Sequence, residues 1–153
     1  MKRILMIAAL IAAPFAASAD TFEAWQADPA KVFAPEEVDL DDLQWQLRAL
    51  VVFGQGENDP LFREQMELIT ARMDELVERD VIVIADTDTS TLSDLRRKLR
   101  PRAFMMVLMD KAGQVELRKP APWDVRELSR SIDKMPLRQQ EISDRRTGAL
   151  PPL

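Results

Sequence analysis

The sequence of 153 residues contains no Cys, no His and no Tyr. Without a thiol, the chain can neither form nor exchange disulfides, even in an oxidising compartment. Without His, it lacks the base of a Ser-His-Asp triad, the usual zinc ligands and a His ligand for haem. The chemistry left to the chain is therefore that of carboxylates, Lys, Arg and hydroxyl groups.

An excess of basic residues is absent as well. The chain has 26 acidic and 21 basic residues, which give a net charge of −5. This composition argues against a nucleic-acid partner, because phosphate binding needs clustered positive charge. The acids are concentrated in residues 20–43, which hold eight acids and one Lys.

An apolar run stands at the N-terminus, where "MKR" is followed by residues 4–17 and then by "SAD". A basic start, a short apolar run and Ala17-Ser18-Ala19 are typical of a secretory signal peptide. The run contains Pro14 and is shorter than the about 20 residues of a membrane span. We expect cleavage of residues 1–19 after Ala19 and a periplasmic or secreted protein with no membrane span. An uncleaved anchor is the alternative.

Residues 20–43, called here the acidic leader, are predicted to have little regular structure. They combine their acids with Pro29 and Pro35. The apolar residues of the leader offer anchors to the rest of the protein: Phe22, Trp25, Val32 and Phe33. A solvated acidic tail is the alternative interpretation.

Four segments after the leader have the character of β-strands, at residues 47–53, 81–85, 104–109 and 114–118. The first three contain continuous apolar runs, which indicate strands covered on both faces. The fourth alternates polar and apolar residues, as an edge strand does. Between the third and fourth, "DKAG" predicts a hairpin turn with Gly113 at a positive-φ position.

The segment after the first strand predicts a helix that begins at Asp59-Pro60 and stops near residue 80. Asp is a good N-cap, and Pro fits the first helical position. The apolar residues follow at spacings of 4, 3, 4 and 3, which places them on one face: Phe62, Met66, Ile69, Met73 and Leu76. We interpret this stripe, with its Met residues, as core packing.

Two further helices complete the pattern. Thr91 with Asp94 resembles a capping box for one, and Asp124 caps a last helix that ends or kinks at Met135-Pro136. The order β-α-β-α-β-β-α, with two parallel strands and then an antiparallel hairpin, is the thioredoxin-like α/β arrangement. We predict such a domain at residues 44–142, with a central mixed sheet of about four strands flanked by helices. Residues 143–153 are predicted to be a frayed tail.

Four stretches resemble a known family, the domain of unknown function 4174. They are "RALVVFGQGENDPLFREQ", "LVERDVIVI", "MDKAGQVELRKPAP" and "IDKMPLRQQEI", within about residues 44–142. The family is similar to thioredoxins and peroxiredoxins and occurs in bacterial exported proteins. A similar domain occurs in sushi-repeat-containing X-linked proteins and in coiled-coil-domain-containing protein 80. The resemblance implies a thioredoxin-like fold, generally without the redox Cys pair, and no established molecular function.

The segment "VVFGQGENDPLF" departs from thioredoxins at the place where their chemistry lies. When the first strand is aligned without gaps, the Cys-x-x-Cys slot falls on Asn58-Asp59-Pro60-Leu61, where only the Pro matches. The thioredoxin cis-Pro position falls on Phe104, and the nearest Pro is Pro101. Thiol–disulfide oxidoreductase and Cys peroxidase activities are therefore excluded.

The first candidate site is the loop at residues 54–59, called here the strand–helix junction. It places a helix N-terminus at the carboxyl end of parallel strands, where N–H groups and the helix dipole favour an anion. Gln55, Asn58 and Asp59 are its candidate ligand- or partner-binding residues. Because Asp59 and Glu57 supply negative charge themselves, a self-capped helix start is the alternative.

The second candidate site is "RRKLRPR" at residues 96–102, called here the basic cluster, which has five basic residues. Arg100 and Arg102 are its candidate binding residues. They would dock an acidic partner or the acidic leader of the same chain. The alternative is that these cations merely stabilise a helix C-terminus.

Other motifs yield no further site. "DTDTS" at residues 86–90 begins like a calcium loop, but Thr91 stands where Gly is needed and Arg97 where Glu is needed. We therefore predict no metal and no cofactor. Trp25, Trp45 and Trp123 are most simply packing residues.

The sequence thus predicts an exported, non-redox, thioredoxin-like domain with no catalytic residue. It would bind an unidentified periplasmic or envelope protein, and its hairpin edge strand offers one route for adding a peptide. The alternative is a thiol-independent enzyme or a small-anion-binding protein that uses the strand–helix junction.

Overall fold

The computed structural model describes residues 20–148, in which strands and helices alternate along most of the chain. The predicted signal peptide and residues 149–153 lie outside the described residues. The elements are α1 Thr21–Ala27, β1 Val32–Phe33, a 3-10 turn Pro35–Glu37, α2 Leu40–Leu43, β2 Arg48–Phe53, α3 Pro60–Thr70, α4 Met73–Val77, β3 Val81–Asp86, α5 Asp94–Leu99, β4 Met105–Met109, β5 Val115–Lys119, α6 Val125–Asp133 and α7 Pro136–Arg146.

The sheet has five strands in the order β1-β3-β2-β4-β5. β1, β3 and β2 are parallel, whereas β4 runs antiparallel to β2 and β5 antiparallel to β4. The predicted parallel pair, the antiparallel hairpin and the closing helix are all present, so the thioredoxin-like prediction is confirmed. The hairpin turns at Gly113, whose φ is 80°.

The fifth strand comes from the acidic leader, which the sequence analysis expected to have little regular structure. That expectation is wrong, since the leader contains α1, β1 and α2. Val32 and Phe33 pair with Val83 and Ile84 of β3. The strand depends on this tertiary contact, because two apolar residues among charged residues and prolines carry no local strand signal. The predicted strand count was therefore one too low.

The sheet is covered on both faces because successive side chains of its central strand point to opposite sides. Val51 and Phe53 of β2 face a core built with the leader and α5. Leu50 and Val52 face a second core built with α3, α4 and α6. All six residues of β2 are buried; the continuous apolar run predicted this for residues 50–53 but not for Arg48.

The predicted helical stripe lies against the second core, which confirms its interpretation as packing. Ile69 and Leu76 are fully buried, and the other three stripe residues are partly buried beside them. The helix is interrupted, however, between α3 and α4. Arg72 takes φ −140° and ψ 33°, which lie outside the helical region and break the hydrogen-bond ladder.

The remaining helix boundaries differ from the prediction in two places. Ser93 rather than Thr91 caps α5, since its hydroxyl accepts from the N–H of Arg96. Pro136 ends one helix but begins α7, which continues to Arg146. Residues 143–146 are therefore helical rather than part of a frayed tail. None of the helices within residues 20–148 has the length and apolar character that crossing a membrane requires.

The three Trp residues behave differently from one another. Trp25 of the leader is buried in the first core, and Trp123 packs partly buried against the second. Trp45 is 66% exposed and has φ 66°, so its interpretation as a packing residue is wrong. Its backbone N–H donates to the carbonyl of Lys111, which holds the loop before β2 against the β4–β5 turn.

A buried ion network closes the amino end of the sheet. Glu141 of α7 accepts from Arg48 of β2, with distances of 3.1 and 3.3 Å. Lys111 lies 2.9 Å from the same carboxylate, and Arg138 lies 3.4 Å from it. Burial opposes ionisation of Glu141, but the hydrogen bonds from Lys111 and Arg48 outweigh it and lower the pKa of this carboxyl. The network fastens α7 to the sheet, away from both candidate sites.

Candidate functional site

The strand–helix junction begins at Gly54, directly after the carboxyl end of β2. Gly54 donates its N–H to the carbonyl of Asp86 at the end of β3, over 3.0 Å. A Cβ at this position would lie 3.0 Å from the side chain of Phe62, so the close approach of helix and strand favours Gly. The strand end and the first turn of α3 are thereby packed together.

Asp59 organises the junction by accepting two backbone hydrogen bonds. One carboxylate oxygen accepts from the N–H of Leu61 at 3.0 Å, and the other accepts from the N–H of Gln55 at 2.9 Å. The bond from Gln55, with that from Leu61, lowers the pKa of Asp59. The carboxylate thus occupies N–H groups that an anion would otherwise use. This geometry favours the self-capped helix start over an anion site.

The three candidate residues of the junction do come together on one surface. Gln55, Asn58 and Asp59 line an open depression of about 520 Å³, which Ala103 and Phe104 also line. Phe104 is buried and occupies the position at which the alignment placed the thioredoxin cis-Pro. The depression therefore lies where a thioredoxin has its active site, but it is lined by two amides, a helix-capping carboxylate and an aromatic ring.

The candidate residues of the basic cluster do not belong to that depression. Arg100 and Arg102 are exposed, and neither lines it. Arg100 ends α5 in the left-handed conformation, with φ 50°. Within residues 20–148, neither guanidinium makes an ion pair or hydrogen bond, so both remain free cations on the surface.

Arg96 of the basic cluster has a different role, which the sequence analysis missed. It is buried, and its Nε donates to the Asp86 carboxylate at 2.8 Å. One terminal nitrogen also donates to the carbonyls of Gly54 and Asp86, at 3.1 and 2.9 Å. Arg96 therefore ties α5 to the carboxyl ends of β2 and β3. The signal was its position three residues before Leu99, on the apolar face of α5.

The acidic leader docks on the protein, although not on the basic cluster. No ion pair joins the acids of residues 20–43 to the bases of residues 96–102, and the leader's own Lys31 pairs with Glu37 instead. Docking uses the buried side chains of Trp25 and Phe33 and the pairing of β1 with β3. The expectation of charge-driven leader docking is therefore wrong.

Docking of the leader creates a cleft that the sequence analysis did not foresee. The cleft measures about 820 Å³ and is lined by residues 34–41 of the leader, by Glu57 of the junction, and by residues 85–98, which comprise the end of β3, the loop after it and most of α5. Leu92 lines it and is 63% exposed, and Val38 and Leu40 of the leader line it as well. We call it the leader cleft. It was missed because its first wall belongs to a segment predicted to be unstructured.

The loop that resembled a calcium site is held by its own hydrogen bonds. The Asp88 carboxylate accepts from the hydroxyl and the N–H of Ser90, at 2.6 and 2.8 Å, and from the N–H of Thr91. The Ser90 hydroxyl bond is the main reason that the pKa of Asp88 lies well below its usual range. Asp88 therefore shapes this wall of the leader cleft as an Asx turn does.

The family assignment follows from the sequence of this same region. A family described as "Domain of unknown function (DUF4174)" matches residues 39–141. The chain belongs to the DUF4174 family. The matched part contains both the strand–helix junction and the basic cluster, whereas α1 and β1 of the leader precede it. No curated protein matches this DUF4174 chain.

Among solved structures, the chain is similar to the mitochondrial 2-cys peroxiredoxin from Plasmodium falciparum. The two are 16% identical with a TM-score of 0.45, over 75% of the DUF4174 chain and 87% of the peroxiredoxin. The thioredoxin-like description of the present fold rests on its own strand order and directions.

Proposed function

We propose that this DUF4174 protein is an exported, non-redox binding module that recognises another protein in the periplasm or envelope. Export is supported by the N-terminal pattern of "MKR", an apolar run and Ala17-Ser18-Ala19. A binding role is supported by a thioredoxin-like frame whose reactive slot carries Asn58 and Asp59 in a chain without any thiol.

The observation that carries the proposal is the use of Asp59. Its carboxylate accepts from the backbone N–H groups of Gln55 and Leu61. The N–H groups at this helix start, which a redox enzyme would use to stabilise a thiolate, are therefore occupied by a side chain of the same chain. Exposed apolar side chains remain at Leu61 and Leu92, toward the carboxyl end of the sheet, and at Val115 of the edge strand β5, toward its amino end. Such surface at the ends and edges of a rigid sheet suits a partner protein.

The second candidate function is a thiol-independent enzyme or small-anion-binding protein at the junction. The contacts of Asp59 support it less well, because its negative charge repels an anion and its oxygens are engaged. Arg100 and Arg102, the cations that would attract an anion, do not line the depression. Thiol-independent turnover by the purified protein that disappears in Asp59→Ala and persists in Asn58→Ala would favour this alternative.

The experiment that tests the proposal is cell fractionation followed by chemical crosslinking in the native periplasm. We expect the protein in the periplasmic fraction, processed after Ala19, with at least one reproducible crosslinked protein. Disulfide-reductase and peroxide-reductase assays on the same protein should give background rates. Retention in the cytoplasm, or the absence of any reproducible crosslink, would contradict the proposal.

A further inference from the structure

We propose that the leader cleft binds a basic, amphipathic peptide segment of the partner protein. This inference rests on the binding role proposed above and names the site and the chemistry of the ligand. The leader cleft lies beside the carboxyl ends of the parallel strands β1 and β3, where α/β folds commonly bind ligands. Its volume of about 820 Å³ is large enough for several side chains.

The apolar part of the leader cleft consists of side chains from its two walls. Val38 and Leu40 of the leader are partly buried, and Leu95 of α5 is buried in the first core. Leu92 is 63% exposed, although it is flanked by this apolar surface. A ligand that covers Leu92 would remove apolar area from water, which is the main source of affinity in peptide grooves.

The rim of the leader cleft is strongly acidic. Apart from Asp86, which is buried and paired with Arg96, six exposed acids line it against two exposed bases: the acids are Glu36, Asp39, Asp41, Glu57, Asp88 and Asp94, and the bases are Arg97 and Lys98. Arg97 is already paired with Asp94 at 2.5 Å. The rim therefore carries uncompensated negative charge and attracts a cationic ligand while repelling an acidic one.

The acids reach this rim from three separate parts of the chain, namely the leader, the strand–helix junction, and the segment that runs from the β3–α5 loop into the first turn of α5. Asp39 and Asp88 accept backbone hydrogen bonds, which fix their carboxylates in place. No three acids among residues 20–148 converge as a metal site would require. An acidic rim spread along an apolar floor matches an extended ligand with alternating apolar and basic side chains.

Fluorescence anisotropy on the purified full chain tests this proposal with two labelled ten-residue peptides. One peptide alternates Leu and Lys, and the other alternates Leu and Glu. We expect saturable binding of the Leu–Lys peptide, weaker at high salt, and no binding of the Leu–Glu peptide. Leu92→Ala and the double variant Glu36→Gln with Asp41→Asn should each weaken binding about tenfold.

Matched variants outside the leader cleft provide the control. Glu64→Gln with Glu67→Gln removes the same net charge at exposed positions of α3, and Trp45→Ala removes an exposed apolar side chain before β2. Both controls should bind the Leu–Lys peptide as the wild type does. Equal weakening by the cleft and control variants, or equal binding of both peptides, would overturn the proposal. A periplasmic crosslink that depends on Leu61 rather than Leu92 would overturn it as well, yet leave the proposed function standing.

Discussion

At the scale of single residues, Arg96 and Asp86 hold the carboxyl end of the sheet together. Both are buried, and Asp86 also accepts from the hydroxyl of Ser93 at 2.7 Å. Burying an ion pair is favourable only when its remaining hydrogen-bonding groups are satisfied, and the carbonyls of Gly54 and Asp86 do this for Arg96. The strand–helix junction and the leader cleft are both built on this pair.

Arg96→Met should therefore destabilise the protein by about 3–5 kcal/mol, because it leaves the Asp86 carboxylate buried without its cation. Arg97→Met is the matched control, since Arg97 is exposed and pairs only with exposed Asp94; its cost should stay below about 1 kcal/mol. Urea denaturation at pH 7 measures both values. Similar stabilities for the two variants would refute the structural role of Arg96.

A second residue-scale prediction concerns Glu141 and acid. Its pKa is lowered in the folded state, so its stabilising contribution is present above the unfolded pKa, about 4.3, and is lost as the pH falls through the folded pKa. Glu141→Gln should lower the free energy of unfolding at pH 7 by on the order of 3 kcal/mol. As the pH falls below 4, the free energy of unfolding should decrease less in this variant than in the wild type.

The measurement for Glu141 is the urea midpoint at a series of pH values between 7 and 3. Glu64→Gln, exposed on α3, is the control and should follow the wild-type curve in parallel. If the urea midpoint of Glu141→Gln also changes with pH in parallel with that of the wild type, Arg48 and Lys111 do not stabilise the charged carboxylate.

At the scale of elements, the leader is an integral part of the sheet and not an acidic appendage. β1 covers β3 on its outer edge, and α1 and α2 cover one face. Phe33 is 1% exposed and Trp25 is 7% exposed, so the leader is held mainly by apolar burial. Its stability contribution should therefore depend little on salt.

Phe33→Ala should destabilise the protein by about 3–5 kcal/mol, because it opens a cavity between β1 and the first core. Lys31→Ala, two residues earlier, removes only a half-exposed ion pair with Glu37 and the contact of the ammonium with the Phe33 ring, so it should cost about 1 kcal/mol or less. Thermal unfolding at low and at high salt measures the loss of stability in each of the two variants. A destabilisation by Phe33→Ala that disappears at high salt would contradict this account and support docking of the leader by charge.

The elements that the sequence predicted correctly are those with strong local signals. Continuous apolar runs predict β2 and β3, Asp59-Pro60 and Asp124 mark the beginnings of α3 and α6, and Gly113 marks the hairpin turn. β1 escaped prediction because its two residues become a strand only through contact with β3. Arg96 escaped because residue type alone does not separate it from the exposed bases beside it, and only its position three residues before Leu99 marks it as buried.

At the scale of the whole molecule, the two ends of the sheet differ in structure. The amino end is closed by the buried network around Glu141. The carboxyl end carries the self-capped junction and the leader cleft. Of this arrangement, the sequence predicted the frame and the absence of thiol chemistry. It did not predict the leader cleft, which requires distant segments to meet.

The most direct test of the binding account is site-specific photo-crosslinking in living cells. A photo-reactive amino acid would replace Leu92, Leu61 or Val115 one at a time, since these exposed positions sample the leader cleft, the junction and the edge strand. The account predicts a reproducible crosslink to one periplasmic protein from position 92, and weaker or no crosslinks from positions 61 and 115. No crosslink from any of the three positions would contradict it.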